Sequence, residues 1–300
     1  MSAYKATQVH FCHQTWQLTS TISKVESCEN GVDIIVEQTP FHPVSHIWPD
    51  HPADKGNLSV AGNQFELTNC LVGAIELETG TLFVDKDIPV KRDTAGWVFV
   101  VVHRIEPMPE TDLNDIIKVG DTIELQVDKA YQQSLSRGHS AGHIAYLALN
   151  KVLAQSYWRK DPDRKDPLGH PDFNSYAQET SFITPDKCTD IYRLGKTLRK
   201  RGLNSANVLA ELSDIEYKIN QQLQSWLEFG GKVTMRCDGS HLTDSRYWEC
   251  QLEVDLHAST PCGGTHIDQL SDFGAVEVAL SLTEEQNIEM QTYVKAIDRI

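Results

Sequence analysis

The chain reads as an α+β protein of two domains, and three observations carry that reading. Up to about residue 130, short apolar stretches alternate with Gly, Asn and Asp. From there to about residue 230 apolar residues recur at helical spacing, and beyond it short strand-like runs return. At 300 residues the chain is long enough to bury two cores without disulfide support. The expected partition is 1–130 and 131–300, with the junction between Asp128 and Arg137, where alternation gives way to helical spacing.

In chain order, residues 32–36, 73–77, 81–84 and 97–102 are β-rich runs bounded by turn residues. Residues 122–128 alternate with period two and are expected to close a small β-barrel. A helix is expected from near Arg137, where Ile144, Leu147 and Val152 continue an apolar stripe. Residues 159–167 combine two prolines with mixed charges, as an exposed loop does. A second helix is expected over 205–226, with Val208, Leu212, Ile215, Ile219 and Leu223 on its packing face and Gly230-Gly231 ending it. Strands at 232–236, 247–254 and 275–280 complete an arrangement of helices over an antiparallel sheet.

Composition excludes several classes. Hydrophobic residues make up 40% and charged residues 23%, and no apolar run approaches the roughly 20 residues that span a bilayer. The opening residues 1–7 lack a basic segment leading into an apolar core, so a cytoplasmic protein is expected. Seven scattered cysteines read as reduced thiols; Cys262 alone is assigned a function, and the other six, Cys70 and Cys250 among them, are read as small core hydrophobes. A formal charge of −15 argues against broad adhesion to phosphate backbones. Arg193, Lys196, Arg199, Lys200 and Arg201 form the densest local cluster of cations. There is no internal repeat and no phosphate-binding Gly-Lys-Ser/Thr loop, so no use of ATP is expected.

The chemistry is concentrated in two short motifs. His139 and His143 stand four residues apart, which on a helix brings both imidazoles to one face. Far downstream, Cys262 and His266 repeat the offset across two glycines that let the backbone turn tightly. Three imidazoles and one thiolate suit Zn²⁺. Four protein ligands describe a closed site, whereas catalytic zinc keeps one position open, which marks His266 as the ligand to be displaced. Ser140 stands where the His-Glu-x-x-His motif of metalloproteases has its general base, which argues against that chemistry.

His139-Ser140-Ala141-Gly142-His143 and Cys262-Gly263-Gly264-Thr265-His266 resemble the signatures of the alanyl-tRNA synthetase editing domain and its freestanding relatives. Weaker similarity covers Gln38-Thr39-Pro40-Phe41-His42-Pro43, Gln178-Glu179-Thr180-Ser181, Thr184-Pro185-Asp186 and Ile215-Glu216 with Asn220. The resemblance implies a translation-factor-like barrel followed by a zinc-binding editing domain. The implied activity is a trans-editing hydrolase that deacylates Ser- or Gly-tRNA(Ala) and engages the acceptor end of tRNA. It further implies a pocket role for the Ser140 hydroxyl and a substrate-facing role for Gln178, these two being the candidate catalytic residues. A tRNA enzyme also needs a local positive surface, and the basic cluster at 193–201 is either that tRNA contact or a solvated helix end. The family's glycine run after Phe-x-Pro is absent; residues 44–54, rich in His and Pro, replace it. There His42, His46, His51 and Asp50 are either surface residues or a second metal cluster. Two other functions stay open: a zinc hydrolase of another ester or amide, and a non-catalytic zinc-containing RNA-binding module. The oligomeric state is not specified.

Overall fold

The computed structural model describes residues 4–29, 31–106 and 116–296, so the first three residues of the opening segment lie outside it. The chain is a mixed α and β molecule with several antiparallel sheets and few helices. It divides into two compact units. The first takes Met1–Gln132, Cys237–Arg246 and Gly263–Thr265, and the second takes Gln133–Arg236, Tyr247–Cys262 and His266–Ile300.

The first unit contains β1 (Gln8–Val9), β2 (Gln17–Cys28), β3 (Gly31–Val36), β4 (Gln38–Thr39), β5 (Gly56–Val60), β6 (Asn63–Glu76), β7 (Leu82–Val84), β8 (Trp97–Ile105) and β9 (Thr122–Val127). Its large sheet runs β5-β9-β2-β3-β8-β6-β7, and β5 pairs with β6 as well as with β9. The alternation read in residues 122–128 appears as strict exposed/buried alternation along β9, with Ile123, Leu125 and Val127 inside. β3 is buried along its whole length. Its one charged residue, Asp33, is accommodated by a two-pronged ion pair in which Arg104 Nε and Nη2 donate at 2.6 and 2.7 Å. Residues 237–246 join this unit although they lie far away in sequence: Val9 N donates to the Ser240 carbonyl and Leu242 N to the Thr7 carbonyl.

The second unit is built on α1 (Lys129–Ser156), α2 (Phe173–Ala177), α3 (Lys196–Arg201), α4 (Ser205–Ala210) and α5 (Leu212–Phe229). β10 (Gln178–Thr184), β11 (Lys187–Tyr192), β15 (Phe273–Leu282) and β16 (Ile288–Ala296) form one sheet in the order β10-β11-β16-β15. β12 (Val233–Cys237), β13 (Arg246–Glu253) and β14 (Leu256–Pro261) form a second, the end residues Cys237 and Arg246 counting with the first unit. α1 begins at Lys129 rather than near Arg137, because Asp128 caps it: its Oδ1 accepts from Tyr131 N at 3.0 Å. The helix expected over 205–226 is interrupted at Glu211 (φ −113°, ψ 24°), whose carboxylate accepts from the Tyr157 hydroxyl at 2.7 Å.

Two of the weaker motifs have structural roles in this unit. Asn220 on α5 donates to Val278 O and accepts from Val278 N, both at 2.8 Å, while Glu216 Oε2 accepts from Leu280 N at 2.6 Å. Helix side chains thereby satisfy the backbone of β15. Asp186, in the turn between β10 and β11, receives Arg137 Nε and Nη2 at 2.5 and 3.0 Å, and its own N–H donates to Ser134 O. The hairpin is thus tied to α1. Gly138 and Gly142 allow its close approach: a Cβ on Gly138 would stand 2.7 Å from Lys187 O, and one on Gly142 2.8 Å from Cys188 Sγ.

Candidate metal centre

α1 carries His139 and His143 one turn apart, with their rings stacked at 4.9 Å between centroids. β14 ends at Pro261 and delivers Cys262 to the same place, followed by His266. Cys262 Sγ lies 3.4 Å from His139 Nε2, 3.4 Å from His143 Nε2 and 3.2 Å from His266 Nε2. One candidate ligand atom from each of the four residues falls within 4.8 Å of every other. A tetrahedron with zinc–nitrogen bonds of about 2.0 to 2.1 Å and a zinc–sulfur bond of about 2.3 Å has S···N edges of about 3.5 Å. The donor set and its spacing fit that ion.

The surroundings prepare the imidazoles as ligands. Burial pushes His143 down to about 4, which keeps it neutral with a lone pair to offer at physiological pH. Trp248, fully buried, stacks on His143 at 4.8 Å with the planes 19° apart. Tyr146 meets the same ring edge-on at 5.8 Å and hydrogen-bonds through its hydroxyl to Thr260 Oγ1 at 2.9 Å. Neither residue was singled out from sequence. Tyr146 had a signal, being one turn beyond His143 on the same helical face; Trp248 had none.

Ser140 does not point at open space. Its Oγ is 3.0 Å from His266 Nδ1 and accepts from Ile267 N at 3.2 Å. A metal on Nε2 of His266 would leave the proton on Nδ1, to be donated to Ser140, an arrangement that orients a ligand. Gly142, the other residue between the two helix histidines, faces Cys188.

Gln178 opens β10 and donates through Nε2 to Asp190 Oδ1 at 2.9 Å. Burial raises the Asp190 carboxyl to about 6. Gln178 also lines a cavity of about 1110 Å³ with Arg193, Lys196, Arg199, Glu285 and Asn287. The basic cluster is therefore divided. Arg193 pairs with Glu179 at 3.2 Å, Arg201 lies over the Tyr176 ring at 4.6 Å, and Lys196 and Lys200 are exposed one turn apart on α3.

In the first unit His42 and His51 are buried edge to face, 4.3 Å between centroids, not on the surface. His51 bonds through Nδ1 to Pro52 O at 2.9 Å and through Nε2 to Thr265 Oγ1 at 3.3 Å, while His46 lies 6.2 Å from the Phe99 ring. Among the described residues these histidines and Asp50 do not form a donor group, although Cys12, His13 and Cys237 do.

No protein-family model matches the chain. It is similar to the alanine–tRNA ligase of Caldivirga maquilingensis, 25% identical over 260 residues that cover 85% of this chain and 23% of that protein. Against the alanine–tRNA ligase of Paracidovorax citrulli the identity is 23% over 261 residues, 85% of this chain and 21% of that one. Against that of Herminiimonas arsenicoxydans it is 27% over 260 residues, 86% and 24%. The chain thus spans less than a quarter of the length of these curated relatives. Over most of its own length it is homologous to a part of alanine–tRNA ligases, which bears out the resemblance carried by its two ligand motifs.

Proposed function

We propose that the chain is a zinc-dependent hydrolase that removes serine or glycine from mischarged tRNA(Ala) in the cytoplasm. The observation that carries this reading is the convergence of three imidazole Nε2 atoms on Cys262 Sγ at 3.2 to 3.4 Å in a chain homologous to alanine–tRNA ligases. Within the proposal His139, His143, Cys262 and His266 hold the metal. The ring of pairings β5-β9-β2-β3-β8-β6, closed by β5 on β6, is read as a small barrel domain over 1–130, with the editing domain over 131–300.

An aminoacyl ester is activated enough that a positioned water and modest electrostatic help cleave it. When bound, zinc supplies a Lewis-acidic charge that polarises the ester carbonyl, acidifies water or holds the substrate amine. The protein's own contributions are positional. Ser140 keeps the proton of His266 on Nδ1, and Trp248 with Tyr146 excludes solvent from one flank of His143. Gln178, with its amide fixed by Asp190, is assigned to the substrate, and the cations at 193–201 to the phosphates of the acceptor end.

The test is deacylation of Ser-, Gly- and Ala-tRNA(Ala) and Thr-tRNA(Thr) by the purified chain, before and after chelation and after zinc is restored. Selective, zinc-restored release of serine or glycine from tRNA(Ala) is expected. Activity on none of these substrates in zinc-loaded protein would reject the reading.

A further inference from the structure

Cys12 and Cys237 are separated by most of the chain, yet their sulfurs stand 3.6 Å apart. His13 offers a ring nitrogen, and one candidate ligand atom from each of the three residues lies within 4.8 Å of the others. All three belong to the first unit, and none belongs to the His139, His143, Cys262, His266 group. From these contacts we propose a second metal site, in which Cys12, His13 and Cys237 bind a borderline-soft divalent cation of the Zn²⁺ class and leave a fourth position to water.

Distance favours a metal over a disulfide. Two thiolates on a tetrahedral zinc, with bonds of about 2.3 Å, stand about 3.8 Å apart, close to the spacing seen here. A disulfide has its sulfurs about 2.05 Å apart, and both thiols here are free. Two thiolates and an imidazole also form a donor set that selects zinc rather than magnesium or calcium.

The scaffold holds both segments in place. Phe11–His13 is a single 3₁₀ turn, followed by Gln14 in the left-handed region (φ 53°), which sets Cys12 and His13 on a short rigid corner. Cys237 is the last residue of β12, where the chain enters the 237–246 segment. Arg246 joins the two: its guanidinium lies 5.3 Å from the Phe11 ring centroid and donates to the carbonyls of His241 at 2.6 Å and Leu242 at 3.1 Å. A bridge from Gln8 to His241 and the bond from Val9 N to Ser240 O lie alongside. Cys12 and Cys237 are half-buried while His13 is exposed, so the cation and its water have a route in from solvent. Binding displaces one proton from each thiol and none from a neutral imidazole, with no change in oxidation state.

The experiment titrates Co²⁺ and Zn²⁺ into the full chain, stripped with a chelator under reducing conditions, with metal counted by elemental analysis. Wild type is expected to bind two ions. The variant His139→Ala with Cys262→Ser should keep one, with the cobalt–thiolate absorption of a two-sulfur site. Cys12→Ser with Cys237→Ser should also keep one, with single-sulfur absorption. His13→Ala changes an exposed side chain and should weaken binding at this site at least tenfold without altering the circular dichroism of the protein. The proposal is overturned if His139→Ala/Cys262→Ser binds no metal while retaining wild-type circular dichroism. It is equally overturned if peptide mapping of protein purified without reductant finds Cys12 and Cys237 joined as a disulfide. Because the count is made with the first site removed, failure here is distinguishable from failure of the proposed hydrolase.

Discussion

Ser140 shows how much one hydroxyl decides. Its Oγ lies 3.0 Å from His266 Nδ1 and accepts the N–H of Ile267, so Ser140→Ala removes a hydrogen-bond partner from each. We expect zinc affinity to fall about 10- to 100-fold in that variant, measured by competition with a chromophoric chelator. Cys262→Ala and His139→Ala should abolish binding at this centre. Full occupancy of the centre in Cys262→Ala would remove that residue from it. Asp54 tests burial instead of coordination. Its Oδ2 accepts from His42 N at 2.7 Å and Gln132 Nε2 at 2.5 Å, its Oδ1 is buried without a partner among the described residues, and burial raises the carboxyl to about 7. Below about pH 4 both folded and unfolded states are protonated. As pH rises toward 7 the unfolded state ionises first, so this group's contribution to stability is lost over that window, by up to roughly 4 kcal/mol. His103 has the opposite sign. Held at about 4 by burial, it costs nothing above pH 6.5 and destabilises the fold as pH falls from there toward 4. Asp54→Asn should therefore remove the decline between pH 4 and 7 in urea-unfolding profiles; an unchanged slope would show that the carboxyl is ionised in the fold.

At the scale of elements, α1 carries two candidate ligands and is also a packing surface, where its two glycines let a hairpin approach. Alanine is a better helix former than glycine by about 1 kcal/mol, so propensity alone predicts that Gly138→Ala stabilises. The added methyl would stand 2.7 Å from Lys187 O and 2.8 Å from Thr184 O, backbone atoms of a hairpin already clamped by Arg137 and Asp186. We expect net destabilisation of roughly 1 to 3 kcal/mol, read as a lower urea midpoint. A higher midpoint would mean that the hairpin yields. On α5, Asn220 bonds both backbone groups of Val278, so Asn220→Leu should destabilise more than any exposed substitution on that helix.

For the whole molecule the proposed tRNA substrate raises the question of how a chain of net charge −15 would engage a polyanion. Affinity would then have to come from a local field, and the exposed cations of α3 are the proposed source. Replacing Lys196 and Lys200 by Ala should weaken tRNA binding and flatten its salt dependence, by roughly 0.7 to 0.9 in log–log slope for each phosphate that the protein no longer neutralises. Cleavage of a minimal aminoacyl-ribose ester should be unaffected. Wild-type affinity and slope in the double variant would shift attention to Arg159, Lys160, Arg164 and Lys165. Among the described residues no helix is long and apolar enough to cross a membrane.

The sequence by itself determined what repeats locally. Period-two alternation marked β9, helical spacing marked α1 and α5, and the paired four-residue offsets of His139/His143 and Cys262/His266 marked the candidate metal centre, because ligand spacing on a helix or a tight turn is a local property of the backbone. It also bore the resemblance to alanyl-tRNA synthetases, since the two ligand motifs are contiguous strings. Tertiary structure alone decided the rest. The approach of Cys12 to Cys237, the hydrogen bond between Ser140 and His266, the stacking of Trp248 on His143 and the burial of His42 and His51 each depend on residues far apart in the chain. Six cysteines that look alike in sequence separate into the buried Cys70, Cys188 and Cys250, the half-buried Cys28, and the facing, half-buried pair Cys12 and Cys237. No periodicity encodes that difference, because long-range pairing is set by how strands and turns pack and not by the spacing of residues along the chain.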